Sequence, residues 1–168
     1  MGFAAGFASS AEATQEYYLF RGQRNWNDAR SWCASHWGGA GPSADLATIS
    51  SEEEMNAFKV WMNNMASTDM YSDEGGGIWM GYTDSSSEGN WVSVESSAWP
   101  AYLTWKDGEP NNWGGNEHCP VIANSNMEFV DVDCGSAKFY VCSLNGSLTP
   151  PVKLLQCIGG FCLSNIQW

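Results

Sequence analysis

Residues 95–120 follow neither the period of a helix nor the alternation of a strand, yet they carry much of the chain's polar chemistry. Loops this long are uncommon inside a compact domain and are usually functional, so the rest of the chain must fold as a scaffold that holds one. The second half reads Trp105-Lys-Asp-Gly-Glu109-Pro110-Asn111-Asn112-Trp113-Gly-Gly-Asn116-Glu117-His118-Cys119. Hard cations such as Ca²⁺ take roughly six to eight oxygen ligands from carboxylates, amides and backbone carbonyls, and this stretch packs such groups around one proline. Pro110 fixes the backbone between Glu109 and Asn111, and a cis bond there makes a turn tight enough to face both side chains at one point. Asn, Gly and Pro are also ordinary surface-loop residues. Taken alone, the stretch favours a polar surface loop over an ion site.

The 168 residues suffice for one domain with a proper core. Ten tryptophans supply large apolar faces, each with a single N–H donor. A net charge of −12 with only seven basic residues argues against nucleic acid and anionic membrane surfaces, both of which need Lys and Arg. It leaves cations and neutral polar ligands open. The six cysteines (33, 119, 134, 142, 157 and 162) form no CxxC pair, and His36 and His118 do not sit at zinc-finger spacing. An even, scattered set fits disulfides in an oxidising compartment: secreted, extracellular or another lumen. Six cysteines allow roughly 15 pairings, and spacing does not choose among them. No run approaches the roughly 18 apolar residues of a membrane span. Residues 1–13 lack a basic segment and a long apolar run; a leader remnant, an appended junction and a docking arm all fit them.

Tyr17–Phe20 reads as a first strand, and Asn27-Asp28 as the cap of a helix over Ala29–Trp37 that Gly38-Gly39 ends. Asp45–Ile49 is a second strand. Ser50 and Ser51, with Glu53 and Glu54 three residues on, form a capping box for a helix over Glu52–Asn64. Its apolar positions Met55, Phe58, Trp61, Met62 and Met65 share one face. From Gly75 onward the pattern is strand and loop: Ile78–Tyr82, Asn90–Val94, Val121–Ala123, Glu128–Val132 and Lys138–Cys142.

Taken in order, Trp32-Cys33, Leu46-Ala-Thr-Ile49, Ile78-Trp79-Met80-Gly81, Glu109-Pro110-Asn111, Asn116-Glu117-His118-Cys119, Asp131-Val-Asp-Cys134 and Phe139-Tyr140-Val141-Cys142 resemble the C-type lectin-like domain. The resemblance covers residues 17–144, flanked by an N-terminal arm (1–16) and a C-terminal tail (145–168). It implies an α+β fold with two helices, small antiparallel sheets, terminal strands brought together and a long disulfide-pinned loop region. It also implies the bridges Cys33–Cys142 and Cys119–Cys134, which leaves Cys157 to pair with Cys162 in the tail.

In the sugar-binding members of that family, calcium is held by residues matching Glu109, Asn111, Glu117 and Asp131. Val130 stands where an asparagine ligand is usual, and Phe129 where a tryptophan is. An auxiliary calcium site would draw on Asp84, Glu88 and Asn112 with Glu117 shared, although Asn112 and His118 replace acids. The resemblance thus implies a calcium-dependent carbohydrate-binding module that takes a carbohydrate or glycoprotein partner. Its Glu-Pro-Asn order goes with mannose-type sugars, and Trp113 or Trp99 offers a stacking face beside Glu109, Asn111 and Glu117. His118 beside the site can make binding acid-sensitive. The alternative is a structural or protein-binding subunit that has lost the sugar, with a partner packed on the apolar ends (Phe3, Phe7, Leu154, Leu155, Phe161, Leu163, Trp168). No nucleophile elbow, zinc-protease helix or phosphate loop is present, so an enzyme is not expected. Asn145-Gly-Ser147 is a glycosylation sequon.

Overall fold

A computed structural model describes residues 14–36, 44–71, 76–95, 103–147, 155–158 and 161–164, with the backbone alone at 14–15, 145–147, 155–158 and 161–164. The expectations placed on residues 1–13, Trp37 to Gly39, Trp99 and Trp168 lie outside these residues. Strand β1 (Thr14–Arg24) leads into helix α1 (Trp26–His36), β2 (Ala44–Leu46) and helix α2 (Glu52–Met65). The second half supplies β3 (Ile78–Trp79), β4 (Tyr82–Thr83), β5 (Val92–Ser93), β6 (Thr104–Trp105), β7 (Cys119–Ile122), β8 (Glu128–Val132) and β9 (Lys138–Ser147). Two further strands, β10 (Leu155–Ile158) and β11 (Phe161–Ser164), follow.

β1 and β9 pair antiparallel, Tyr18 opposite Cys142 and Phe20 opposite Tyr140, so the two ends of the domain lie side by side. The main sheet runs β11-β10-β1-β9-β3-β7-β8-β6, with β2 on β9; β4 and β5 form a separate pair. The C-terminal tail does not stay apart from the domain, because β10 adds to β1 in parallel and β11 folds back on β10 with Cys157 opposite Cys162. The side chains of those two cysteines lie outside the described residues.

Side chains alternate across a strand, and here the alternation feeds two cores. Leu19, Ile78, Ile122, Phe129 and Val141 pack with Phe58, Trp61 and Met62 of α2. Their strand neighbours Tyr18, Phe20, Trp79, Val121, Tyr140 and Cys142 pack with Trp26, Ala29 and Cys33 of α1. Bridges Cys33–Cys142 and Cys119–Cys134 tie α1 to β9 and the end of the loop to the turn after β8. Ser51 caps α2 by accepting from the Glu54 N–H at 3.1 Å, while Glu54 accepts from the Ser50 N–H at 2.6 Å. The cap of α1 is Asn25, not Asn27: its Oδ1 accepts from the Asp28 N–H at 2.8 Å, and its carbonyl from Ala29 at 2.9 Å. Asp28 instead sits in the first turn, where a negative charge favours the helix dipole.

The run Ile78–Tyr82 is not one strand. It breaks at Gly81, whose N–H and carbonyl bond Ala47 and Val94, and whose position is too close to the Leu46 carbonyl for any side chain. A Cβ there would lie 2.4 Å from that oxygen, a backbone atom that cannot swing away. Gly81→Ala is expected to cost about 2–3 kcal/mol, the upper range for overpacking, read from the urea midpoint.

Candidate functional site

The loop rests on an aromatic shelf. Trp91 packs on Trp105 (centroids 4.8 Å), which meets Phe129 edge-on, and Phe129 in turn meets Tyr82. β6 lies parallel to β8, Trp105 opposite Phe129, and the Lys106 N–H donates to the Phe129 carbonyl at 2.9 Å. Part of the region that looked structureless is therefore a strand. Phe129 fills this shelf and is fully buried.

From this base the chain turns through a cis Glu109–Pro110 bond. Asp131 anchors the turn from below, with only 1% of its surface exposed. Its Oδ1 accepts from the Asn111 N–H at 3.0 Å and its Oδ2 from the Asn112 N–H at 2.8 Å. Asn112, at φ 44°, reverses the chain so that its Oδ1 accepts from the Glu117 N–H at 3.0 Å, while Glu117 Oε2 accepts from the Trp113 N–H at 2.8 Å. Asn111 donates its side-chain N–H to Glu109 Oε2 at 2.8 Å.

These bonds set Asn111 and Asp131 beside Glu109, with Glu117 near enough for its charge to act on Glu109. Burial pushes the Glu109 carboxyl up to about 7, helped by a hydrogen bond to Asp131 and the charges of Asp131 and Glu117. Burial likewise raises Glu117, with Asp131 and Asp133 adding to it against the Trp113 N–H. Such mutual repulsion marks a focus of negative charge that a cation relieves. The donor set is all oxygen, the kind calcium takes. A carboxylate has about four lone-pair sites, so the loop's own hydrogen bonds leave capacity for an ion.

Val130 brings no ligand. It is half-buried against the cluster that holds Cys119 and Val121 and pairs with Val121 across β7. Trp113 is 80% exposed. Beside it opens a cleft of about 420 Å³ lined by Glu117, Asn116, Asp133 and Lys138. Asp133 and Lys138 are additions to the residues singled out from sequence; Asp133, two residues past Asp131, was the one with a signal in the spacing.

Besides Asn112, whose Oδ1 serves the loop by accepting from the Glu117 N–H, the auxiliary set draws on Asp84 and Glu88. They meet His118, with Nδ1 at 3.0 Å from Asp84 Oδ1 and 3.4 Å from Glu88 Oε2. Among the described residues, no helix is long and apolar enough to cross a membrane.

The Lectin C-type domain family model matches residues 22–144. A C-type lectin of the lectoxin type from Thrasops jacksonii is 30% identical over 128 residues, 75% of this chain and 74% of that protein. A C-type lectin mannose-binding isoform of Oxyuranus scutellatus is 27% identical over the same shares. Among solved structures, the C-type lectin CEL-I of Cucumaria echinata superposes with a TM-score of 0.63 at 22% identity, over 78% of this chain and 90% of that one, a likeness of fold alone.

Proposed function

The chain belongs to the C-type lectin domain family, and we propose that Glu109, Asn111, Glu117 and Asp131 hold a calcium ion through which it binds carbohydrate. What supports this reading is that Glu109, Asn111 and Asp131 meet at the cis Glu109–Pro110 turn, with the Glu117 charge close enough to raise the Glu109 carboxyl. Calcium attracts sugar hydroxyls, and the carboxylates and amide around it accept from and donate to the same hydroxyls. Specificity in such sites comes from a few placed polar groups. The Glu-Pro-Asn order favours mannose-type sugars, and the exposed face of Trp113 stands next to the ion site for a ring to stack on. The domain is a binding module rather than an enzyme, suited to secretion or another oxidising lumen where its disulfides persist.

Thermal unfolding of the purified chain in millimolar Ca²⁺ against EDTA, then with mannose or galactose, tests the reading. An ion at about 100 times its dissociation constant adds about 2.7 kcal/mol, a rise of about 5–10 °C for a domain this size. A calcium shift with a further mannose shift supports the reading; no calcium shift overturns it. Val130→Asn supplies a side-chain oxygen where valine has none. It is expected to tighten calcium about tenfold, equivalent to ~1.4 kcal/mol, by isothermal titration calorimetry.

Val130 also favours a second reading, a family member that keeps the fold and binds protein instead of sugar. A calcium shift without any sugar shift, for the chain and for Val130→Asn alike, selects it.

Acid should weaken the ion site. Glu109 holds its proton up to about 7 in the folded, ion-free protein against an ordinary 4.5. A raised carboxyl favours the folded state at low pH, and this contribution is lost as pH rises through about 7. The ion-free protein therefore loses stability from this group between about pH 4.5 and 7. Calcium binds the deprotonated form, so its affinity is expected to fall up to about tenfold per pH unit below about 7. Calcium titrations across that range check the slope.

A further inference from the structure

Asp84, Glu88 and His118 lie outside the proposed calcium set, and we infer that they form a second metal site, selective for a zinc-class divalent ion over calcium through the His118 imidazole. Two segments far apart in sequence build it. Asp84 opens the turn after β4, closed by the Ser87 N–H on the Asp84 carbonyl at 2.8 Å, which brings Glu88 back beside it. His118 ends the loop, just before Cys119. Its carbonyl accepts from Thr83 Oγ1 at 2.8 Å and from the Asp84 N–H at 3.3 Å, so the turn and the loop are stitched together at the site.

The ligand atoms are already gathered. His118 Nδ1 stands 3.0 Å from Asp84 Oδ1 and 3.4 Å from Glu88 Oε2, and all three lie within 4.8 Å of one another. Zinc bonds of roughly 2.0–2.1 Å in a tetrahedron put ligand atoms about 3.3 Å apart. Those two separations suit that geometry with little movement, and a water can complete the fourth position.

The donor type selects the ion. Calcium takes oxygen ligands, whereas imidazole suits zinc and its first-row neighbours. Independently of donor type, the Asp84 side chain is completely buried, and among the described residues no lysine or arginine pairs with it. A buried carboxylate is paired or coordinates a metal; with His118 as its only ionisable partner among the described residues, a divalent ion would neutralise Asp84 and Glu88 together. The Gly89 N–H donating to Asp84 Oδ2 at 2.7 Å leaves Oδ1 turned toward His118, the kind of outer support that orients metal ligands.

Titration calorimetry of the full chain with ZnCl₂ in calcium-free buffer is expected to show one zinc site. His118→Asn should weaken it at least tenfold, while His118→Asp should lose zinc and bind calcium instead. Glu109→Gln, which disables the proposed calcium set, should leave zinc binding unchanged, so the two sites succeed or fail separately. Absence of zinc binding, or an unchanged isotherm for His118→Asn, overturns the inference. Should His118→Asn not fold, Co²⁺ added to the native chain must give four-coordinate visible absorption, and the His118 ring must shift by NMR. A six-coordinate spectrum or an unmoved ring overturns the inference equally.

Discussion

Replacing Asp131 with alanine is expected to remove calcium binding and to destabilise the ion-free protein by about 2–4 kcal/mol. Two separate roles make the effect large. As an anchor, the buried carboxylate accepts the backbone N–H groups of Asn111 and Asn112, the two residues that follow the cis turn. Hydrogen bonds to charged groups contribute about 1.5–3 kcal/mol each, and a donor left buried without a partner costs about 1–3 kcal/mol. Water reaching the emptied position keeps the total below the sum. As a proposed ligand, Asp131 faces Glu109, whose proton it helps hold. Asp131→Asn separates the roles: its amide oxygen can still accept one N–H, but the charge is gone. Asp131→Asn should therefore lose calcium almost as fully as alanine while giving up less stability. Urea unfolding in EDTA, set beside calorimetry with Ca²⁺, resolves the two. Equal destabilisation by both variants would show that charge, not the accepted N–H groups, holds the loop.

The same turn shows why some of this protein is legible in its sequence. The cap and apolar face of α2 depend on residues three and four apart, and Ser51, Glu54, Phe58, Trp61 and Met62 occupy the places their spacing assigns. Glu109, Asn111 and Glu117 are likewise close in sequence, so their shared loop was visible before its geometry. Where long-range contact decides, local pattern misleads. Ile78–Tyr82 reads as one buried strand, but the Leu46 carbonyl pressed against Gly81 divides it between two sheets. Asn27 has the chemistry of a cap, yet Asn25 takes the role because Trp26 is already drawn inward by its Nε1–H bond to the Met80 carbonyl at 2.9 Å. His118 and Asp84 are 34 residues apart; the resemblance groups them, but no local pattern gives the separations that set the imidazole between two carboxylates. The strand pairing of β10 with β1 is of the same kind: nothing local to Leu155–Ile158 names its neighbour.

The largest loss of stability is expected from removing the Cys33–Cys142 bridge, with both cysteines replaced by alanine to avoid leaving an unpaired thiol. The bridge spans 109 residues, and on the chain-entropy account a loop of that length contributes about 4–5 kcal/mol by restricting the unfolded chain. Both cysteines are fully buried between α1 and the sheet, so the replacement also leaves a small void. The Cys119–Cys134 bridge spans only 15 residues, and removing it should cost about 3 kcal/mol. Urea curves should therefore rank the first pair above the second, with the slope m rising in both as the unfolded state expands. Calcium binding should rank them the other way. Cys119 follows Glu117 and His118 directly and fixes where the loop re-enters the sheet, whereas the Cys33–Cys142 bridge ties α1 to β9 and includes no residue of the loop. Loss of the shorter bridge frees the end of the loop that carries Glu117, so it should lower calcium affinity more than loss of the longer one. If the longer bridge proves the more damaging to calcium, the loop is held by the stability of the whole domain rather than by its own disulfide.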